Sequence, residues 1–141
     1  MQPALQTSVD DWARVLATLP AIPLHTTHNK SGSVYARTIF IPAGGSLVGA
    51  THKTDHINIV LGDITVTTDT GPVRITGYHI LEAKAGHKRA GYAHADTVWT
   101  TICHTTKSTL SEIEDELVVE ASDLLTRKPS LEAANTILLG S

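Results

Sequence analysis

Between Val34 and His104 the chain runs as a succession of short β-branched stretches, each closed by glycine or another turn former. The stretches are Val34–Ile41, Ser46–Thr51, Ile57–Leu61, Asp63–Thr68, Val73–Thr76, Tyr78–Ala83, Lys88–Ala93 and Thr97–His104. Such runs predict strands, because a branched Cβ is stiff at χ1 and packs well on a pleated surface. Pro42-Ala43-Gly44-Gly45, Asp69-Thr70-Gly71-Pro72 and Ala85-Gly86 supply turns between them, with glycine available where φ must be positive. About eight short strands at this spacing point to an all-β, double-sheet barrel.

The flanks read differently. Ser8 precedes Trp12, Val15, Leu16 and Leu19 at helical spacing, with Asp10 and Asp11 near the helix start and Pro20 closing it, so a short N-terminal helix is expected. Ala21 to Gly32, with one proline and two histidines and no clear period, reads as an extended arm. After His104, Ser111 and Glu114 resemble a capping box ahead of Leu117 and Val118, and Leu131, Ala134, Ile137 and Leu138 form a second helical stripe after Pro129. The expected divisions are therefore an N-terminal helix and arm over 1–33, a barrel over 34–106 and a helical extension over 107–141.

One domain suits 141 residues of which 41% are hydrophobic. A net charge of -3 offers no basic excess for a phosphate backbone, so nucleic acid is not an expected partner. Cys103 is the one cysteine, which excludes an internal disulfide and fits a reducing compartment. The first residues lack the basic and apolar pattern of a signal peptide, and no apolar run is long enough to span a bilayer.

Chemistry concentrates in Gly49-Ala50-Thr51-His52-Lys53-Thr54-Asp55-His56, followed by an apolar run and Gly62-Asp63. This stretch resembles the first cupin motif, and the resemblance runs from about Val34 to His104, which makes the expected barrel a cupin-like jelly roll. In that family two histidines and a glutamate, with a histidine from a second motif, hold a divalent metal inside the barrel. Carried over, His52 stands at the second histidine, His56 near the glutamate and Ala50 at the first histidine. Arg89 stands at the last ligand position, beyond Ala83-Lys84-Ala85-Gly86, with His87 and His94 nearby. The metal-ligand set that the resemblance implies is His52, His56 and His94, with Asp55 as a further oxygen donor.

On a continuous strand His52 and His56 would stand ~13 Å apart, so they meet only if Lys53-Thr54-Asp55 makes a bend. The plainer reading has both histidines hydrogen-bonded to neighbours such as Asp55 and Asn58 at a barrel mouth, with no metal. Cys103 and His104 are adjacent in a strand and face opposite ways, so Cys103 is expected in the core rather than as a nucleophile. No phosphate-binding loop, dinucleotide fingerprint or nucleophile elbow is present.

Tyr92 to Thr101 places Trp99 as a barrel filler and Asp96 as an acceptor of turn hydrogen bonds. Together with the His52–Gly62 stretch and Lys88-Arg89, this segment resembles small cupin-like proteins encoded by tailed bacteriophages and prophages. The likeness implies a phage structural or virion-assembly protein without catalytic residues or a cofactor, located in the virion or the host cytoplasm. Its expected partners are further copies or other virion proteins, met through the C-terminal helices. The alternative is a metal-dependent cupin enzyme, an oxygenase or isomerase, with Arg89 or Lys88 holding an anionic group of a small molecule. A third reading is a metal-free sugar or small-ligand binder with Trp99 or Tyr78 as its wall.

Overall fold

The computed structural model describes residues 24–119 and 121. The N-terminal helix expected over Ser8–Pro20 and the second C-terminal helix expected over Leu131–Leu138 lie outside the described residues. Seven strands and one short helix follow in chain order: β1 (His25–Ser31), β2 (Val34–Ile41), β3 (Ser46–Val48), β4 (His56–Thr68), β5 (Gly71–Ala83), β6 (Ala90–Ala93), β7 (Thr97–His104) and α1 (Leu110–Leu117). All strand pairs are antiparallel.

The expected strands between Ile57 and Ala83 fuse into two long ones. Gly62 and Gly77 do not end their strands; they pair with each other across the β4–β5 hairpin. There the hairpin bends, because β5 follows one edge of β4 throughout while the other edge is shared in succession. Ile57 to Leu61 pair with β7, and Ile64 to Val66 pair with β6. The hydrogen-bonded sheet thus folds into two lobes, β1-β2-β7 with the first part of β4, and β3-β6 with the second part. A side chain at Gly62 would run into Thr97, whose Cα lies 2.7 Å from the place of a Cβ, so glycine permits the close crossing.

The apolar core lies between the lobes. Ile39 and Ile41 of β2, Val60, Ile64 and Val66 of β4, and Trp99 of β7 fill it with Leu47 of β3. β2 and β7 send alternate residues inward, Thr97, Trp99, Thr101 and Cys103 in the case of β7.

Two expectations near the ends are corrected. The segment read as an arm contains β1, paired with β2 through a two-residue turn at Gly32-Ser33, so the sheet begins at His25. Its polar composition hid it: an edge strand needs apolar residues on neither face when β2 supplies the hydrogen-bonding template. At α1, the N-cap is Thr109, not Ser111. The Glu112 N–H donates to Thr109 Oγ1 at 3.3 Å, and Thr109 Oγ1 donates to Glu112 Oε1 at 2.8 Å. Glu114 is thereby freed from capping and turns inward. Among the described residues no helix is long and apolar enough to cross a membrane.

Candidate functional site

One end of the interior is polar. Inward positions of β2 place Tyr35 and Arg37 there, β7 places Thr101 and Cys103, β4 places His56 and Asn58, and α1 lays Glu114 across from them. Arg37 Nη2 donates to Glu114 Oε2 at 3.0 Å, with the two side chains only 7% and 1% exposed. Arg37 Nε donates to the Tyr35 hydroxyl at 3.2 Å, and that hydroxyl lies 2.7 Å from His28 Nδ1. Burial, reinforced by the Arg37 charge, pulls the His28 pKa below its ordinary value. Deeper in, Asn58 Oδ1 accepts from Trp99 Nε1 at 3.1 Å and Thr101 Oγ1 at 2.9 Å, which gives two buried donors one shared acceptor.

α1 closes this end. Ile113, Leu117 and Val118 pack with Tyr35, Ala50 and Cys103 in a second apolar cluster. Backbone bonds from Lys53 N to Leu117 O at 2.7 Å and from Val119 N to Thr51 O at 2.9 Å tie the end of the helix to the 49–55 segment, and His52 bridges Val118.

Lys53-Thr54-Asp55 does make the bend on which a meeting depends, and it brings His52 and His56 together with ring centroids 4.1 Å apart. His56 Nδ1 lies 3.0 Å from the Thr54 carbonyl. A carbonyl only accepts, so Nδ1 carries the proton and a neutral ring keeps its lone pair on Nε2. Burial lowers the His56 pKa, with the Thr54 bond opposing and the Arg89 and His87 charges assisting.

His94 is not brought to this pair. It lies beside the far part of β4, where its Nε2 is 2.6 Å from Thr65 Oγ1 at the surface. Among the described residues no group of three or more His, Cys, Asp or Glu side chains is arranged to hold a metal ion. The divalent metal of the cupin pattern therefore does not fit the described residues: no third His, Cys, Asp or Glu among them is grouped with the pair as a metal ligand, and Arg89 stands at the last ligand position, a cation with no lone pair to offer.

The remaining expected residues serve the fold. Asp55 Oδ1 accepts from Ala85 N at 2.8 Å, joining the bend to the turn after β5, rather than contacting the histidines. Asn58 serves Trp99 and Thr101 instead of the histidines. Asp96 Oδ1 accepts from Ala43 N at 2.9 Å, a donor in a different turn from its own. Arg89 is half-buried beside Trp99 and Leu47, and burial lowers its pKa. Cys103 is buried, and burial pushes its thiol up to about 11, far from a reactive thiolate. Trp99 fills the barrel as expected, whereas Tyr78 faces solvent on the outside.

Sequence reasoning missed Arg37 and Glu114. The signal was parity: Arg37 stands between Tyr35 and Ile39 on the inward side of β2, and a charge there requires a partner. A groove of about 600 Å³ opens at the same end, with Ile57 and Ile102 as its apolar floor, His56 in its wall, and Glu82, Lys84 and His104 around it.

No protein-family model and no curated protein sequence matches the chain. Solved structures do resemble it. A cupin superfamily protein from Desulfitobacterium hafniense superposes with a TM-score of 0.51 at 15% identity, covering 60% of this chain and 80% of that one. The DMSP lyase DddQ from Ruegeria pomeroyi gives a TM-score of 0.50 at 17% identity over 61% of this chain, which spans 49% of the lyase. At such identities the likeness is one of fold: the sheet is cupin-like.

Proposed function

We propose that this chain is a structural or assembly protein in which a cupin-like barrel is the rigid body and the outer surfaces make the working contacts. One observation carries the reading: the polar end of the barrel, where a cupin would hold its ligand, is filled by the chain's own groups, with Glu114 of α1 paired to Arg37. The His52–His56 pair lies under the same helix, 4.1 Å between rings, with His94 on a different part of the sheet. The setting proposed is a bacteriophage particle or its assembly, on the strength of the sequence resemblance. Contacts with other copies or other virion proteins through the segment after Pro129 belong to the same proposal.

A second reading has one observation behind it. The groove of about 600 Å³ falls in the size range of small-ligand sites and reaches His56. A neutral imidazole with Nε2 free of the Thr54 bond could accept a hydrogen bond or a proton from a small molecule there. That would make the chain a ligand binder or enzyme entered from the sheet end.

Metal analysis of the purified full chain tests the structural reading against a metal-dependent cupin enzyme, and a screen of small molecules for binding lost in His56→Ala tests it against the groove. The structural reading expects no stoichiometric transition metal. A near-stoichiometric metal, lost in both His52→Ala and His56→Ala while the fold is retained by circular dichroism, would overturn it.

A further inference from the structure

On the first lobe the outward side of the sheet is apolar, and no other described element lies over it. β4 presents Ile57, Ile59 and Leu61 there, and β5 sets Ile80 opposite Ile59 and Tyr78 opposite Leu61. Leu61, Tyr78 and Ile80 are 53%, 61% and 59% exposed. β7 continues the face with Val98, Thr100 and Ile102, and β2 with Phe40, Thr38 and Ala36. None of these side chains is charged. The hydroxyls of Thr38 and Thr100 are 2.8 Å apart and hydrogen-bond each other, so each keeps one partner when the face is covered. Polar groups stand at the margins, Glu82 on β5, His104 at the end of β7, and His25 and Asn29 on β1. An uncharged centre inside a polar rim is the anatomy of a protein interface, and monomers rarely leave such a patch open.

We propose that this face binds a second copy of the chain about a two-fold axis running along β7, an inference that rests on the structural reading and names its partner. β7 is the middle of the five strands, in the order β1, β2, β7, β4, β5. An axis along it sets the β4–β5 half of one copy over the β1–β2 half of the other, in the aligned geometry by which sheets pack. The two halves fit. The β4–β5 half carries the large side chains, Ile57, Ile59, Leu61, Tyr78 and Ile80, whereas the outward rows of β1 and β2 are shallow at Thr27, Asn29, Ala36 and Thr38. Tyr78 of one copy comes over His25 and Phe40 of the other, whose rings already lie 5.4 Å apart. A face that is large on one side of its middle strand and small on the other is complementary to itself.

The size is sufficient. Five strands ~4.8 Å apart and about seven residues of ~3.3 Å along each make a face of roughly 550 Å², so two copies bury about 1,100 Å² before roughness is counted. That reaches the lower limit of about 1,000 Å² for a specific interface.

Sedimentation equilibrium of the full chain over a concentration series, with Leu61→Lys, Ile80→Lys and Val119→Lys beside the parent, tests this. Val119 is an equally exposed apolar residue off the face, which makes it the control. The expected result is a dimer weakened about hundredfold by either Leu61→Lys or Ile80→Lys, since each substitution enters a two-fold interface twice, and unchanged by Val119→Lys. Because Leu61 and Ile80 point outward, unfolding midpoints of diluted samples should stay close to the parent's. A dimer indifferent to Leu61→Lys and Ile80→Lys overturns this face and leaves the structural reading standing. A monomer overturns the second copy as occupant, and if Leu61→Lys then also lowers its stability, the chain's own terminal residues cover the face. Failure of the structural reading itself is seen separately, as bound metal lost with His52 and His56.

Discussion

The Arg37–Glu114 pair is the residue-level feature on which the closed end of the barrel turns. Two charges this deeply buried gain strength from the low dielectric, yet each has lost its hydration, so the pair adds little net stability over an apolar pair of the same shape. Removing one partner is a different matter, because the survivor stays buried without the opposite charge that faced it. Glu114→Leu or Arg37→Met should therefore cost about 3–5 kcal/mol each, a large share of a total stability of about 5–15 kcal/mol. The double variant Arg37→Met/Glu114→Leu should recover most of that loss. Urea unfolding of the four proteins measures the coupling directly. Additive losses would mean that the two groups do not depend on each other.

At the scale of elements, alternation was legible and continuity was not. Inward and outward positions of β2 and β7 follow from the period-two pattern of Val34–Ile41 and Thr97–His104, and both strands occur over those residues. Glycine misled in the middle of the chain, since Gly62 and Gly77 were read as strand ends although they mark a bend within one hairpin. The same residue type serves both purposes, and only the partner across the strand tells them apart. β1 could have been read from Gly32-Ser33, a two-residue turn signal, had its polar strand residues been weighed less. In the site, spacing showed where a bend had to fall for His52 and His56 to meet, but not that they do meet. The Arg37–Glu114 contact was not legible, because it joins residues 77 apart in sequence. Gly62 meets two demands, a Cβ that would lie 2.7 Å from Thr97 Cα and a φ of +151°, whereas Gly77 has open space and a φ of +83° alone. Gly62→Ala should thus cost about 3 kcal/mol, through overpacking added to backbone strain, and Gly77→Ala about 1 kcal/mol through backbone strain. Thermal unfolding ranks them, and equal losses would remove the close crossing at Thr97 as the reason for Gly62.

At the scale of the whole molecule, folding opposes the protonation of two histidines, His28 and His56, and two carboxylates, Asp63 and Glu116, among the described residues, and this shapes how stability follows pH. His28 and His56 both have pKa values lowered chiefly by burial, with Arg37 facing the first and Arg89, His87 and Asp55 around the second. The unfolded chain therefore takes up protons before the folded one does, starting near the ordinary histidine value of ~6.5. Stability that is fully present above that pH is lost as pH falls through the window below it. Glu116 acts in a lower window. Hydrogen bonds from Thr106 and Thr105 hold its carboxyl at about 2, so its contribution persists above the ordinary glutamate value and disappears as pH falls toward about 2. The expected profile is a plateau near neutrality, a first decline beginning below ~6.5 and a second below ~4.3. Denaturation midpoints measured across this range in the parent and in His56→Asn check the assignment, since an amide can keep a donor near the Thr54 carbonyl but does not titrate. His56→Asn should flatten part of the first decline and leave the second untouched. A parent whose stability is level from pH ~7 to ~5 would show that the closed end of the barrel accepts a proton as readily as the unfolded chain, and so is not the dry, packed interior on which the structural role depends.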